Sequence, residues 1–163
     1  MSKTTVKFKF KIRVTNEGEV AGYIKKIQDY VSSDFKFSSE LNKDWYQSGT
    51  NLYNSSLANV KLEPGQSKEI TLILTKQMTE NNTGLVNNTA EIVESYNEQG
   101  LKDSDSTEGN RAKSEDDMGS ADLILSIKTG QVVATVLVIL STIVIIGVAA
   151  YIIAKRALNK RVI

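Results

Sequence analysis

The sequence contains no cysteine and no histidine. The first absence excludes disulfides, thiol nucleophiles and thiolate zinc sites, and the second excludes catalysis that runs through imidazole. An exported domain without cysteine holds together by packing alone, or with a metal or another covalent link. Serine, threonine and aspartate are plentiful, yet no base–nucleophile pair and no paired carboxylates in a cleft motif stand out, so an enzyme is not expected. No signal peptide is visible either. Met1, Ser2, Lys3, Thr4 and Thr5 run straight into strand-like sequence, with no apolar segment of the secretory kind. For a domain that must be exported, this suggests the C-terminal piece of a longer protein. No internal repeat is evident.

The 163 residues carry a formal net charge of +1, an average that hides an asymmetry. Residues 97–122 are acidic, while the last nine residues hold four cations and no acid. The lysines near the N-terminus have no basic groove or recognition motif around them, so no nucleic-acid partner is expected.

Val6, Phe8, Phe10, Ile12 and Val14 alternate with Lys7, Lys9, Lys11 and Arg13. This period of two predicts a strand with one face in the core and one in water. Asn16, Glu17 and Gly18 supply a turn. Further strands are expected over 21–30, 34–37, 44–47, 51–54, 68–74 and 85–93. Turn chemistry lies between them at Gly49-Thr50, Pro64-Gly65 and Asn81-Asn82-Thr83-Gly84. One more strand is expected over 121–127. Many short strands at regular spacing predict an all-β fold, an antiparallel β-sandwich of the immunoglobulin-like kind with Greek-key connections. Among the aromatics, Trp45, Tyr46, Tyr53, Phe35 and Phe37 either line a surface contact or pack inward; a tryptophan in a sandwich belongs in the core.

Residues 131–154, QVVATVLVILSTIVIIGVAAYIIA, contain no charge. As a helix they would span about 36 Å at about 1.5 Å per residue, enough for a hydrocarbon core of about 30 Å. The run is apolar all round, as a transmembrane helix requires. Lys155, Arg156, Lys160 and Arg161 follow it, and the other flank is acidic apart from Lys128. Cations kept in the cytoplasm give an extracellular N-terminus and a cytoplasmic C-terminus. Ser126, Ile127, Lys128, Thr129 and Gly130 precede the span. A threonine–glycine pair, an apolar span and a basic tail resemble a Gram-positive cell-wall sorting signal, with Thr129 and Gly130 as the sorting site. Ser126 and Ile127 stand where the sortase motif LPxTG has leucine and proline, so a permanent membrane anchor is the preferred reading over sortase transfer to peptidoglycan.

The acidic segment brings Asp103, Asp105 and Asn110 close together in sequence, with Gly109 permitting a tight turn, and Glu115, Asp116 and Asp117 follow. Hard oxygen donors spaced through a loop suit calcium, which takes six to eight of them. The spacing is not that of an EF-hand loop. The other reading is a solvated linker, where acidic runs commonly lie. Bound calcium would stiffen the junction to the membrane.

Four segments occur in a familiar order: V-T-N-E-G-E-V-A-G-Y from Val14, I-Q-D-Y-V from Ile27, L-E-P-G-Q-S-K-E-I from Leu62 and N-N-T-A-E-I from Asn87. The set, over about residues 5–96, resembles the DUF11-type conserved repeat, a family of immunoglobulin-like modules of bacterial surface proteins related to fimbrial isopeptide-forming domains. The resemblance implies an extracellular stalk or adhesive module. It also raises an internal isopeptide bond between a lysine of an early strand and Asn88, with Asp29 as the proton-shuttling carboxylate. The first strand argues against this, because its lysines share a face with Arg13 opposite the apolar one, and a nucleophilic lysine must be desolvated.

The organisation expected is a surface module over 1–96, an acidic connector over 97–120, a juxtamembrane strand or linker over 121–130, a single transmembrane helix over 131–154 and a basic tail over 155–163. The function expected is a membrane-anchored bacterial surface module that presents upstream domains, its partner the lipid bilayer. The alternative is a calcium-dependent adhesin binding a host or neighbouring-cell ligand.

Overall fold

A computed structural model describes residues 4–78, 84–103, 105–125 and 138–147. Strand β1 (Thr4–Asn16) realises the alternation read from its sequence. Val6, Phe8, Phe10, Ile12 and Val14 are buried, and the lysines between them lie on the other face at intermediate exposure. Its antiparallel neighbour β6 (Ser67–Met78) turns Ile70, Leu72, Leu74 and Met78 inward. On the outer face Arg13 lies opposite Glu69 in register and donates from Nε and Nη2 to Oε1 at 3.0 and 2.7 Å. The pair is exposed to solvent, so it fixes register more than it stabilises.

A second sheet holds β2 (Gly22–Asp29), β3 (Trp45–Ser48), β4 (Asn51–Asn54), β5 (Lys61–Leu62), β7 (Gly84–Tyr96) and β8 (Met118–Leu125). Its order is β3-β4-β2-β7-β8, with β5 paired to β2. The chain is therefore all-β over the described residues, with two sheets enclosing one core. Trp45 belongs to that core: it is 4% exposed, and its indole N–H donates across to the Thr71 carbonyl of β6 at 2.8 Å. Phe35 packs edge-on against Phe8 and Phe10, with ring centroids 5.2 and 6.1 Å apart. The expected strand over 34–37 contributes a single bridge, Lys36 to Thr75, at the outer edge of β6. Strand β5 has only two residues, too few to leave a period in the sequence.

The structure differs from the sequence expectation within 131–154. Residues 138–147 form a strand, β9 (Val138–Gly147), parallel to β1, with Ile12 opposite Ile143 and Val14 opposite Ile145. Residues 131–137 and 148–154 lie outside the described residues, as do Thr129, Gly130 and the tail over 155–163. Val138, Ile139, Thr142, Ile143, Val144, Ile145 and Ile146 are β-branched, which suits extended backbone as well as a lipid-facing helix. A parallel strand covered on both faces reads as a continuous apolar run, and periodicity does not separate it from a helix. Among the described residues no helix is long and apolar enough to cross a membrane.

Register and connections define two poles. Thr4 pairs with Met78, Gly84 pairs with Leu125, and Lys7 pairs with Val138. These ends gather at one pole. At the other, Asn16 bonds to Gln66 and Gly65, Gly22 pairs with Leu62, Tyr23 pairs with Tyr96, and β8 begins at Met118.

Candidate functional site

The acidic segment joins β7 to β8, neighbours in one sheet, and therefore lies at the pole far from Leu125. It folds back over the outer face of β7. Glu91 lies beneath it, fully buried, and accepts the Arg111 backbone N–H at 3.0 Å and the Tyr30 hydroxyl. Arg111 stacks over the Tyr30 ring at 4.1 Å and holds φ at 61°, a left-handed conformation uncommon for a residue with Cβ. Burial, with the Glu91 contact, pushes the Tyr30 hydroxyl up to about 12. Glu108 accepts the Ser95 N–H at 2.7 Å, and the Ile92 N–H bonds to the Asp117 carbonyl at 2.8 Å. The segment is thus stitched to the sheet at several points. Glu91, Tyr30 and Arg111 were invisible as a set in the sequence, because Glu91 faces outward by strand alternation and is buried only by a loop some twenty residues downstream.

Six acidic-segment residues are expected calcium donors, and the fold divides them. Asp103, Asp105 and Asp116 come together, each offering a carboxylate oxygen within 4.8 Å of the others. Asn110 and Glu115 pair with one another instead: the Asn110 amide donates to both Glu115 oxygens at 3.0 Å, and Glu115 also accepts the Thr107 N–H at 2.6 Å. Asp117 is 2% exposed, and neither carboxylate oxygen has a hydrogen-bond partner among the described residues. With Asp103 it lines a cavity bounded by Tyr23, Tyr96 and Asn97. The hydrogen bond with Asp103, burial and the negative charge of Asp116 push Asp105 up to about 6. Burial, then the surrounding Glu91, Glu115, Asp116 and Asp103, pushes Asp117 up to about 7. Burial and Asp103 raise Asp116 as well. Each shift says that added negative charge is unwelcome here.

Asp29 and Asn88 meet in the core. Both are buried, and the Asn88 amide donates to Asp29 Oδ2 at 2.6 Å. Asp29 Oδ1 and Asn88 Oδ1 have no partner among the described residues. Burial pushes Asp29 up to about 8, against the lowering effect of the Asn88 hydrogen bond. Among the described residues no lysine is buried, so the pair has no amine beside it in the core.

Comparison with family models, with curated proteins and with solved structures finds no match for this chain.

Proposed function

We propose that the chain is a membrane-anchored surface module: an immunoglobulin-like β-sandwich held at the bacterial cell surface by residues 131–154, with the tail over 155–163 in the cytoplasm. The observation that carries this reading is the uncharged run of 24 residues followed at once by Lys155 and Arg156. Its length and flanks meet the requirements of a single span. The resemblance to the DUF11-type repeat supports the surface location, and the role is then structural, presenting upstream domains away from the cell.

A feature of the fold fits the same reading. Leu85 and Ile124 are register partners on β7 and β8 and are 67% and 83% exposed. They lie at the pole where the chain leaves β8 toward 131–154, as an apolar pair beside a membrane would. In the bilayer the run 131–154 is a helix, and β9 is the disposition of its middle residues where no lipid receives them. The β1 edge then stands open in the anchored molecule.

The test is expression of the chain behind a signal peptide in a Gram-positive host, followed by envelope fractionation and mass spectrometry of the C-terminus. An intact end at Ile163 in a membrane fraction resistant to alkaline extraction is the expected result. Recovery in the soluble fraction would overturn the anchor. An end at Thr129 joined to wall peptide would replace the permanent anchor by sortase transfer.

A further inference from the structure

We propose that Asp103, Asp105 and Asp116 form a calcium site at the pole away from the chain's exit toward the anchor. Three carboxylates converge there with their oxygens within 4.8 Å, and no lysine or arginine forms a salt bridge with any of them among the described residues. Convergence of like charge is costly unless a cation or protons offset it.

Two further observations point to a ligand. Asp116 Oδ1 is out of contact with water and accepts no hydrogen bond among the described residues. Asp117, nearly fully buried, has both oxygens equally bare and faces the cavity that Asp103 lines. Buried polar atoms are almost always partnered, so three bare oxygens on adjacent carboxylates call for a counter-charge. Of the three converging carboxylates, Asp103 is the member that lines this cavity.

The donor chemistry selects the metal. All the donors are oxygens, set in an irregular loop that offers carboxylates of differing orientation. Calcium accepts such sets at variable coordination number, with water completing the shell, whereas magnesium demands a near-ideal octahedron. Two contacts orient Asp103, whose Oδ2 accepts the Ser106 hydroxyl at 2.7 Å and whose Oδ1 accepts the Asp105 N–H at 3.3 Å. A bound cation would fasten the start of the acidic loop, at Asp103, to its end, at Asp116, beside the first residue of β8. This stabilises the outward pole and leaves the membrane junction untouched. The inference does not depend on the anchor.

Tyr23 and Tyr96 line the same cavity, their rings 6.0 Å apart. Terbium, a calcium surrogate excited through tyrosine, therefore serves as the probe. The full chain in detergent micelles is titrated with terbium, then with calcium or magnesium, and its thermal unfolding is followed with calcium and with chelator. We expect tyrosine-sensitised terbium emission that calcium displaces, and a Tm several degrees higher in about 1 mM calcium, as preferential binding to the folded state requires. D116N and D105N should each weaken terbium binding about tenfold or more. D34N, at an exposed carboxylate paired with Lys76 and outside the acidic segment, should keep it. Emission unchanged in both D116N and D105N, or a Tm indifferent to calcium, would overturn the site. An equal response to magnesium would overturn the assignment to calcium.

Discussion

Asp29 owes its place in the core to a change of register. The pairing of β2 with β7 shifts between Ile24 and Lys26 and again between Lys26 and Ile27. The inward sequence is therefore Gly22, Ile24, then Ile27 and Asp29, and the extra residues Lys25 and Lys26 stay at the surface. Lys25 is held there by the Ala58 carbonyl at 2.8 Å and by the rings of Tyr23 and Tyr96. The consequence is a carboxyl that titrates at about 8 when folded and near 3.8 when unfolded. Folding then takes up a proton between these values. The stability that neutral Asp29 contributes is fully present below about pH 4 and is lost as pH rises through about 8, by up to about 1.4 kcal/mol per pH unit. D29N, which keeps an acceptor for Asn88, should raise Tm at pH 8 and flatten this part of the profile. Thermal unfolding of the two proteins from pH 4 to 9 checks it, and parallel profiles would refute it. Glu91 makes a second residue-scale case. E91A removes the acceptor of Tyr30 and Arg111 and should cost about 1–3 kcal/mol, with faster hydrogen exchange at the Arg111 amide. Unaltered exchange there would mean the loop is held by other contacts.

At the scale of elements, β9 and the proposed span concern the same residues. Beside β1, Ile143 and Ile145 are fully buried, and such burial contributes about 1.5–3 kcal/mol each. A bilayer offers the same side chains an apolar medium without requiring a sheet partner, and a helix satisfies every backbone group internally. The two dispositions exclude each other, so a cross-link distinguishes them. The chain has no cysteine, which makes the pair I12C and I143C a clean reporter. Adjacent strands lie about 4.8 Å apart, within the Cα separation of about 4.4–6.8 Å that a disulfide spans. We expect the disulfide to form in lipid-free refolded protein and to be absent from chain inserted into vesicles. Formation in vesicles would assign β9 permanently to the sheet. The strands themselves were largely legible: alternation marked β1 and β6, and turn residues marked Gly49 and Gly65, which adopt φ of 60° and 78°. Strand β8 begins at Met118 rather than at 121, because its start is fixed by pairing to Glu91 and not by its own composition, and residues 126 and 127 of the expected strand lie outside the described residues.

For the whole molecule, the polarity of the fold matters most. Both Thr4 and Leu125 lie at one pole, with Leu85 and Ile124 exposed beside the exit, and the acidic loop occupies the opposite pole. An anchored module would therefore turn its acidic pole outward. A probe on I124C should be quenched by lipid-borne quenchers in vesicles, and a probe on K113C, an exposed position of the acidic loop, should not. The reverse pattern, or equal quenching, would overturn this orientation.

The sequence by itself determined the all-β character, the inward face of β1 and the extent of the uncharged run, because these depend on periodicity and composition along the chain. It also named the acidic donors, but as one undivided set of six. Only the tertiary structure separated Asp103, Asp105 and Asp116 from the Asn110–Glu115 pair, buried Asp117 and Glu91 under a returning loop, and sent that loop to the pole away from Leu125. Those outcomes depend on which strands pair and in what register, and on which face a loop then covers. Such contacts join residues far apart in the chain, where no local pattern records them.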